Sequence, residues 1–215
     1  MKTNPLNNDI MQRYRYLYTI LVLLCLQLVA TAQPICKVRT FGTENGLPAS
    51  VISGMTQSTD NLIWITTWNG LSCYDGYRFT TFRNIPGHDL QLTTNHLISV
   101  MPATDGNLWT TAYTDDVYMF DSQKCQYVNV SALITKKFQS RFSLRKIYPL
   151  ANGDTWVVGK YNEHYHMAKG DSDSDRDIRR FTLPGTLNKV VLDGFGDEWL
   201  FCDQGAFVYT EKGNP

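Results

Sequence analysis

Beyond residue 50, short runs of alternating apolar and polar residues are broken at regular points by Asp, Asn and Gly. The clearest stretch is Asp60–Phe82, DNLIWITTWNGLSCYDGYRFTTF. Ile63–Thr67 is rich in β-branched and aromatic side chains and predicts a strand. Trp68-Asn69-Gly70 then turns the chain, with Gly available for positive φ. Leu71–Tyr74 predicts a second strand, Asp75-Gly76 is a strong hairpin signal, and Arg78–Phe82 predicts a third.

This unit recurs. Trp64, Trp109, Trp156 and Trp199 are spaced by 45, 47 and 43 residues, a period diagnostic of repeats. Each follows an Asp/Asn/Gly turn: Asp60-Asn61, Asp105-Gly106-Asn107, Asn152-Gly153-Asp154 and Gly196-Asp197. A further strand precedes each turn, at Val51–Thr56, His96–Met101, Ser143–Leu150 and Lys189–Leu192. Four antiparallel strands per repeat of this length predict an all-β fold, a β-propeller of four-stranded blades. The blades fall near 42–82, 83–128, 129–183 and 184–215. The four Trp side chains are expected to fill the cores between blades.

Residues 34–41 read as an outer closing strand, and the fourth blade lacks its own outer strand. Two arrangements account for this: a fragment of a larger, seven-bladed propeller, or a four-bladed ring closed by the N-terminal strand. The fragment is favoured, because the sequence stops at a turn in Asn214-Pro215.

Composition changes this picture little. Twenty basic and twenty acidic residues cancel, so the chain carries no charge footprint for nucleic acid. The N-terminus stands apart from the repeats. Lys2, Arg13 and Arg15 precede an apolar run from Leu17 to Val29, and Ala30-Thr31-Ala32 follows. This pattern predicts a signal peptide over 1–32 and an exported protein. Export permits disulfides among Cys36, Cys73, Cys125 and Cys202, but their wide spacing gives no zinc motif, and core positions are expected for most of them.

With Phe41-Gly42-Thr43-Glu44-Asn45-Gly46-Leu47-Pro48 ahead of Asp60–Phe82, the chain resembles the two-component regulator propeller repeat. The match to N-G-L-P and D-x-x-x-W-x-x-T-x-x-G-L-x-x-Y-D-G-x-x-F-x-x-F runs nearly throughout blade one. In later blades it decays to the turn, the Trp and the closing aromatic. The resemblance implies the periplasmic sensor region of a hybrid histidine kinase, acting as a homodimer in its full-length setting. In that family two propellers precede an immunoglobulin-like domain, a membrane span, a kinase core, a receiver and a DNA-binding domain. No phosphoacceptor segment or Gly-rich nucleotide loop occurs in this sequence, so this chain is not itself expected to be an enzyme.

Catalytic or metal constellations are sparse. His164 and His166 alternate along a strand and share a face, but no third ligand is evident in sequence. Asp171–Asp177 looks like a calcium loop, yet Arg176 and Thr182 occupy the positions that an EF-hand gives to Gly and an acid. Asn152–Trp156 resembles a structural Asp-box turn. No metal or other cofactor is expected. The turns between second and third strands share one end of the blades with the interblade links. They carry Trp68 and Asn69, Tyr113, Asp115 and Asp116, and Tyr161, Asn162 and Glu163. Aromatics beside planar polar groups suit an oligosaccharide. The expected function is a non-catalytic periplasmic sensor that binds an oligosaccharide and relays to a histidine kinase. An exported propeller glycosidase or lyase and a truncated gene product are the alternatives.

Overall fold

The computed structural model describes residues 5–30, 37–84, 92–169 and 177–210. The expected cleavage site, Cys36, His88 and the loop 171–176 lie outside them. The chain divides into two units, Met1–Thr40 and Phe41–Pro215.

The first unit contains one helix, α1 (Pro5–Ala30), which extends well before the apolar run Leu17–Val29. Among the described residues, no helix is long and apolar enough to cross a membrane. Residues 37–40 form no strand, and Phe41 likewise lies outside the sheets, where the sequence predicts an outer strand over 34–41.

The second unit holds four antiparallel meanders in chain order. Blade one comprises β1 (Ile52–Gln57), β2 (Ile63–Thr67), β3 (Gly70–Tyr74) and β4 (Phe79–Phe82). Blade two comprises β5 (Leu97–Pro102), β6 (Leu108–Ala112), β7 (Val117–Asp121) and β8 (Gln126–Asn129). Helix α2 (Val130–Phe138) follows, then blade three with β9 (Leu144–Pro149), β10 (Thr155–Gly159), β11 (His164–Met167) and β12 (Ile178–Phe181). Blade four has three strands, β13 (Leu187–Leu192), β14 (Glu198–Cys202) and β15 (Gly205–Tyr209). The architecture is that of β-propeller blades, as the repeat period requires.

The blades cover one another's faces in three apolar seams. Trp64, Leu71, Leu108 and Phe120 are among the residues that fill the first, between blades one and two. Trp109, Met119, Val157 and Met167 belong to the second, together with Val130 and Ile134 of α2. Trp156, Val158, Leu187 and Leu200 belong to the third. Trp64, Trp109 and Trp156 are therefore interblade core, at 4%, 1% and 0% exposure. Trp199 is not: it is 38% exposed, because its blade is the last of the four and no described residue covers that face.

Two further expectations change. The link 129–141 is expected as a loop but is largely α2, whose Asn129 side chain caps the Ala132 N–H. Of the cysteines whose side chains are described, Cys73 is buried, Cys202 is half-buried, and Cys125 is exposed in a turn at φ 55°. Burial and the nearby carboxylates of Asp60 and Asp75 push the Cys73 thiol up to about 11.

Every blade begins with the same irregularity. One extra residue bulges from the innermost strand opposite the end of the second: Ser53, Ile98, Arg145 and Asn188. Ser53 shows its use, donating through Oγ to Leu97 O at 2.6 Å and so joining β1 to β5.

Candidate functional site

The turns between second and third strands lie at one end of the blades, as the meander topology dictates. Most of their polar residues are committed to holding the backbone. Asp115 and Asn162 both sit at φ 64°, a conformation that Asn and Asp tolerate best after Gly. The Asn69 side chain donates to Pro48 O at 3.2 Å, which seats the N-G-L-P loop on blade one. Asp115 pairs with Lys160 of blade three and accepts from Ser143 Oγ at 3.2 Å. The Lys160 hydrogen bond, assisted by Ser143, holds its carboxyl below the usual range despite some desolvation. The Asp116 carboxylate accepts from Thr114 and Thr93 at 2.7 and 3.1 Å. Asn162 donates to Gly185 O at 2.8 Å, reaching the link into blade four. Glu163 accepts the Tyr161 N–H at 3.1 Å. Asn69, Asp115, Asp116, Asn162 and Glu163 are thus tethers of turns and seams.

The aromatic members differ. Trp68, Tyr113 and Tyr161 are 56%, 68% and 80% exposed. Trp68 and Tyr113 are brought together through His96, which sequence reasoning did not select. The His96 ring lies 4.5 Å from that of Trp68 and stacks on Tyr113 at 5.0 Å and 7°. A row of three rings therefore crosses the end of the first seam. Tyr161 stands apart on blade three. The His96 backbone carbonyl accepts the Tyr113 N–H at 3.0 Å, which fixes the spacing of the stacked pair. Its position at the end of the link into β5, on the same end as the turns, was the one sequence signal for it.

Beside this row, a cavity of about 350 Å³ opens between blades two and three. Tyr113 and Asp115 border it, with Ile98, Arg145 and Lys146. Ile98 and Arg145 reach it because they are the bulged residues of β5 and β9. An exposed aromatic row next to a cavity bordered by Arg145 and Asp115 offers ring stacking together with charged hydrogen-bonding groups. The Lys146 ammonium instead lies over the Tyr148 ring at 4.7 Å and donates to Asn188 O at 3.4 Å. On the opposite rim, a cavity of about 480 Å³ at the first seam is bordered by Asp60, Asp75 and Asp105. The expected pair of histidines is split: His166 meets two carboxylates, whereas the buried His164 Nε2 has no hydrogen-bond partner among the described residues.

Blades of this kind define a β-propeller, and solved structures share the fold. Two structures of the extracellular domain of BT4673 from B. thetaiotaomicron, described as a one component or hybrid two component system, match at TM-score 0.51 and 19% identity. They align with 80% and 83% of this chain and with 23% and 24% of their own lengths. The extracellular domain of BT3049, described as a hybrid two component system of the same organism, matches at TM-score 0.40 and 15% identity, over 81% of this chain and 30% of its own. The chain thus spans less than a third of the length of each. No protein-family model matches the chain, and no curated protein matches it.

Proposed function

We propose that this chain is the ligand-binding part of an exported, non-catalytic sensor that recognises an oligosaccharide and relays its presence to a histidine kinase. The observation that carries this reading is the exposed row Trp68–His96–Tyr113 beside the cavity bordered by Arg145. Sugar rings stack on such a row, and the Arg145 guanidinium is suited to hydroxyl or carboxylate oxygens. The basic and apolar N-terminal pattern supports export to the periplasm. The blade-one motif supports the signalling context, with a homodimer as the working assembly and the kinase in segments or partners outside these residues.

The test is calorimetric titration of the chain with a panel of neutral and uronate oligosaccharides, with Trp fluorescence as a second readout. At least one member is expected to bind. Trp68→Ala and Tyr113→Ala are each expected to weaken it about tenfold, about 1.4 kcal/mol, while Tyr161→Ala leaves it unchanged. Absence of binding across the panel, or wild-type affinity in both ring variants, overturns the reading.

A further inference from the structure

Within the seam between blades three and four lie a buried imidazole and a buried carboxylate, His166 and Glu198. Across the hairpins, Trp64 faces Cys73, Trp109 faces Met119 and Trp156 faces His166. His166 therefore occupies the place that blades one and two give to Cys73 and Met119. Glu198 precedes Trp199 as Ile63 precedes Trp64 and Leu108 precedes Trp109. Leu108 is fully buried and Thr155, at the same place in blade three, is buried and uncharged, so Glu198 puts an acid at a position that the repeat otherwise leaves uncharged. Asp154 closes the turn that leads into β10 and supplies the third group.

These three side chains come from separate elements of two blades and converge. His166 Nε2 lies 3.3 Å from Glu198 Oε2 and 3.8 Å from Asp154 Oδ2. Their ligand atoms all lie within 4.8 Å of one another. The side chains of His166 and Glu198 are 4% and 3% exposed, and that of Asp154 is 14%. Rings of Trp156, Phe181 and Tyr209 surround the imidazole.

Charge decides what such a group requires. Two ionised carboxylates beside a single imidazole leave uncompensated negative charge in an aromatic-walled seam, which is costly unless a cation offsets it. A divalent cation on a neutral imidazole neutralises both. A tetrahedral ion with bonds of about 2.0–2.1 Å sets its ligands about 3.3 Å apart, which the His166–Glu198 pair matches at 3.3 Å and the His166–Asp154 pair approaches at 3.8 Å. The carboxylates are already held in place by hydrogen bonds from neighbouring groups. Trp156 Nε1 donates to Glu198 Oε2 at 2.5 Å, and Asn152 Nδ2 donates to Glu198 Oε1 at 3.2 Å and Asp154 Oδ2 at 2.9 Å. The Lys169 N–H donates to Asp154 Oδ1 at 2.6 Å. Outer donors of this kind orient metal ligands.

We propose that Asp154, His166 and Glu198 form a Zn²⁺ site that fastens blade three to blade four, with water as the fourth ligand. One imidazole and two carboxylates match the donor preferences of that ion, and Asp154, the least buried of the three, marks the side of entry.

The experiment uses the full chain, stripped with a chelator and titrated with Zn²⁺ by calorimetry and with Co²⁺ by visible absorption. The expected result is one equivalent of metal, a four-coordinate cobalt spectrum, and a melting temperature that rises with Zn²⁺. His166→Gln and Glu198→Gln are expected to bind at least about 100-fold more weakly and to lose the cobalt spectrum. Asp154→Asn, at the more open side of the seam, serves where those two fail to fold. No uptake by the folded wild-type chain overturns the proposal, as does unchanged uptake in any of these variants that circular dichroism shows to be folded.

Discussion

Two glycines of blade one separate backbone strain from crowding. Gly70 opens β3 at φ 105°, and Gly76 turns the β3–β4 hairpin at φ 96°. An L side chain in either place costs about 1–2 kcal/mol from conformation alone. Their surroundings differ. A Cβ on Gly70 would meet Phe82 O and Arg83 Cβ at 2.7 Å each, whereas one on Gly76 meets nothing within 4 Å. The Phe82 carbonyl cannot withdraw freely, because it accepts the Tyr127 hydroxyl of blade two at 3.1 Å. Gly70 is also tied in place by its N–H, which donates to Asn95 O at 2.8 Å. Displacing this backbone adds about 1–3 kcal/mol, and losing the Asn95 bond adds about 1 kcal/mol. Gly76→Ala is therefore expected to destabilise by about 1–2 kcal/mol and Gly70→Ala by about 3–6 kcal/mol. Urea unfolding of both variants at unchanged m-value measures the difference. Equal losses would refute the crowding argument and leave only the dihedral cost.

Two other perturbations follow from burial and charge. Trp109→Ala is expected to cost about 3–5 kcal/mol, and Trp199→Ala no more than about 1 kcal/mol, since their exposures are 1% and 38%; thermal melts that give equal losses would contradict the assignment of seams. Burial raises the Asp121 carboxyl, but the Lys124 and Gln123 N–H groups and the Lys124 ammonium outweigh it and leave the carboxyl below its ordinary value. The stability it contributes is full above the unfolded carboxyl value, about pH 4, and is lost as pH falls through the lower folded value. Asp121→Asn should therefore be less stable than wild type at neutral pH and lose less on acidification; parallel pH–stability curves would rule this out.

The blade order was legible because Trp64, Trp109 and Trp156 recur at one place in a strand period that local alternation already announces. What escaped was set by the backbone or by packing between repeats. The bulges that aim Ile98 and Arg145 into a cavity leave no mark in composition, because any residue fits an unpaired place in a strand. Helix α2 buries only Val130, Ser131 and Ile134, too short a stripe to stand out beside its neighbouring strands. Asp115 and Asn162 meet the needs of a left-handed turn as well as those of a ligand, since turn chemistry and sugar chemistry draw on the same residues. His166 and Glu198 lie in different blades, and only the superposition of repeats places them on one seam.

The row Trp68–His96–Tyr113 has one ring rooted in blade one and two rooted at the start and turn of blade two. A molecule lying along all three would act as a clasp across a hinge line. Occupancy of the row would then be felt as stiffness, so the scaffold need not change shape to report that it is filled.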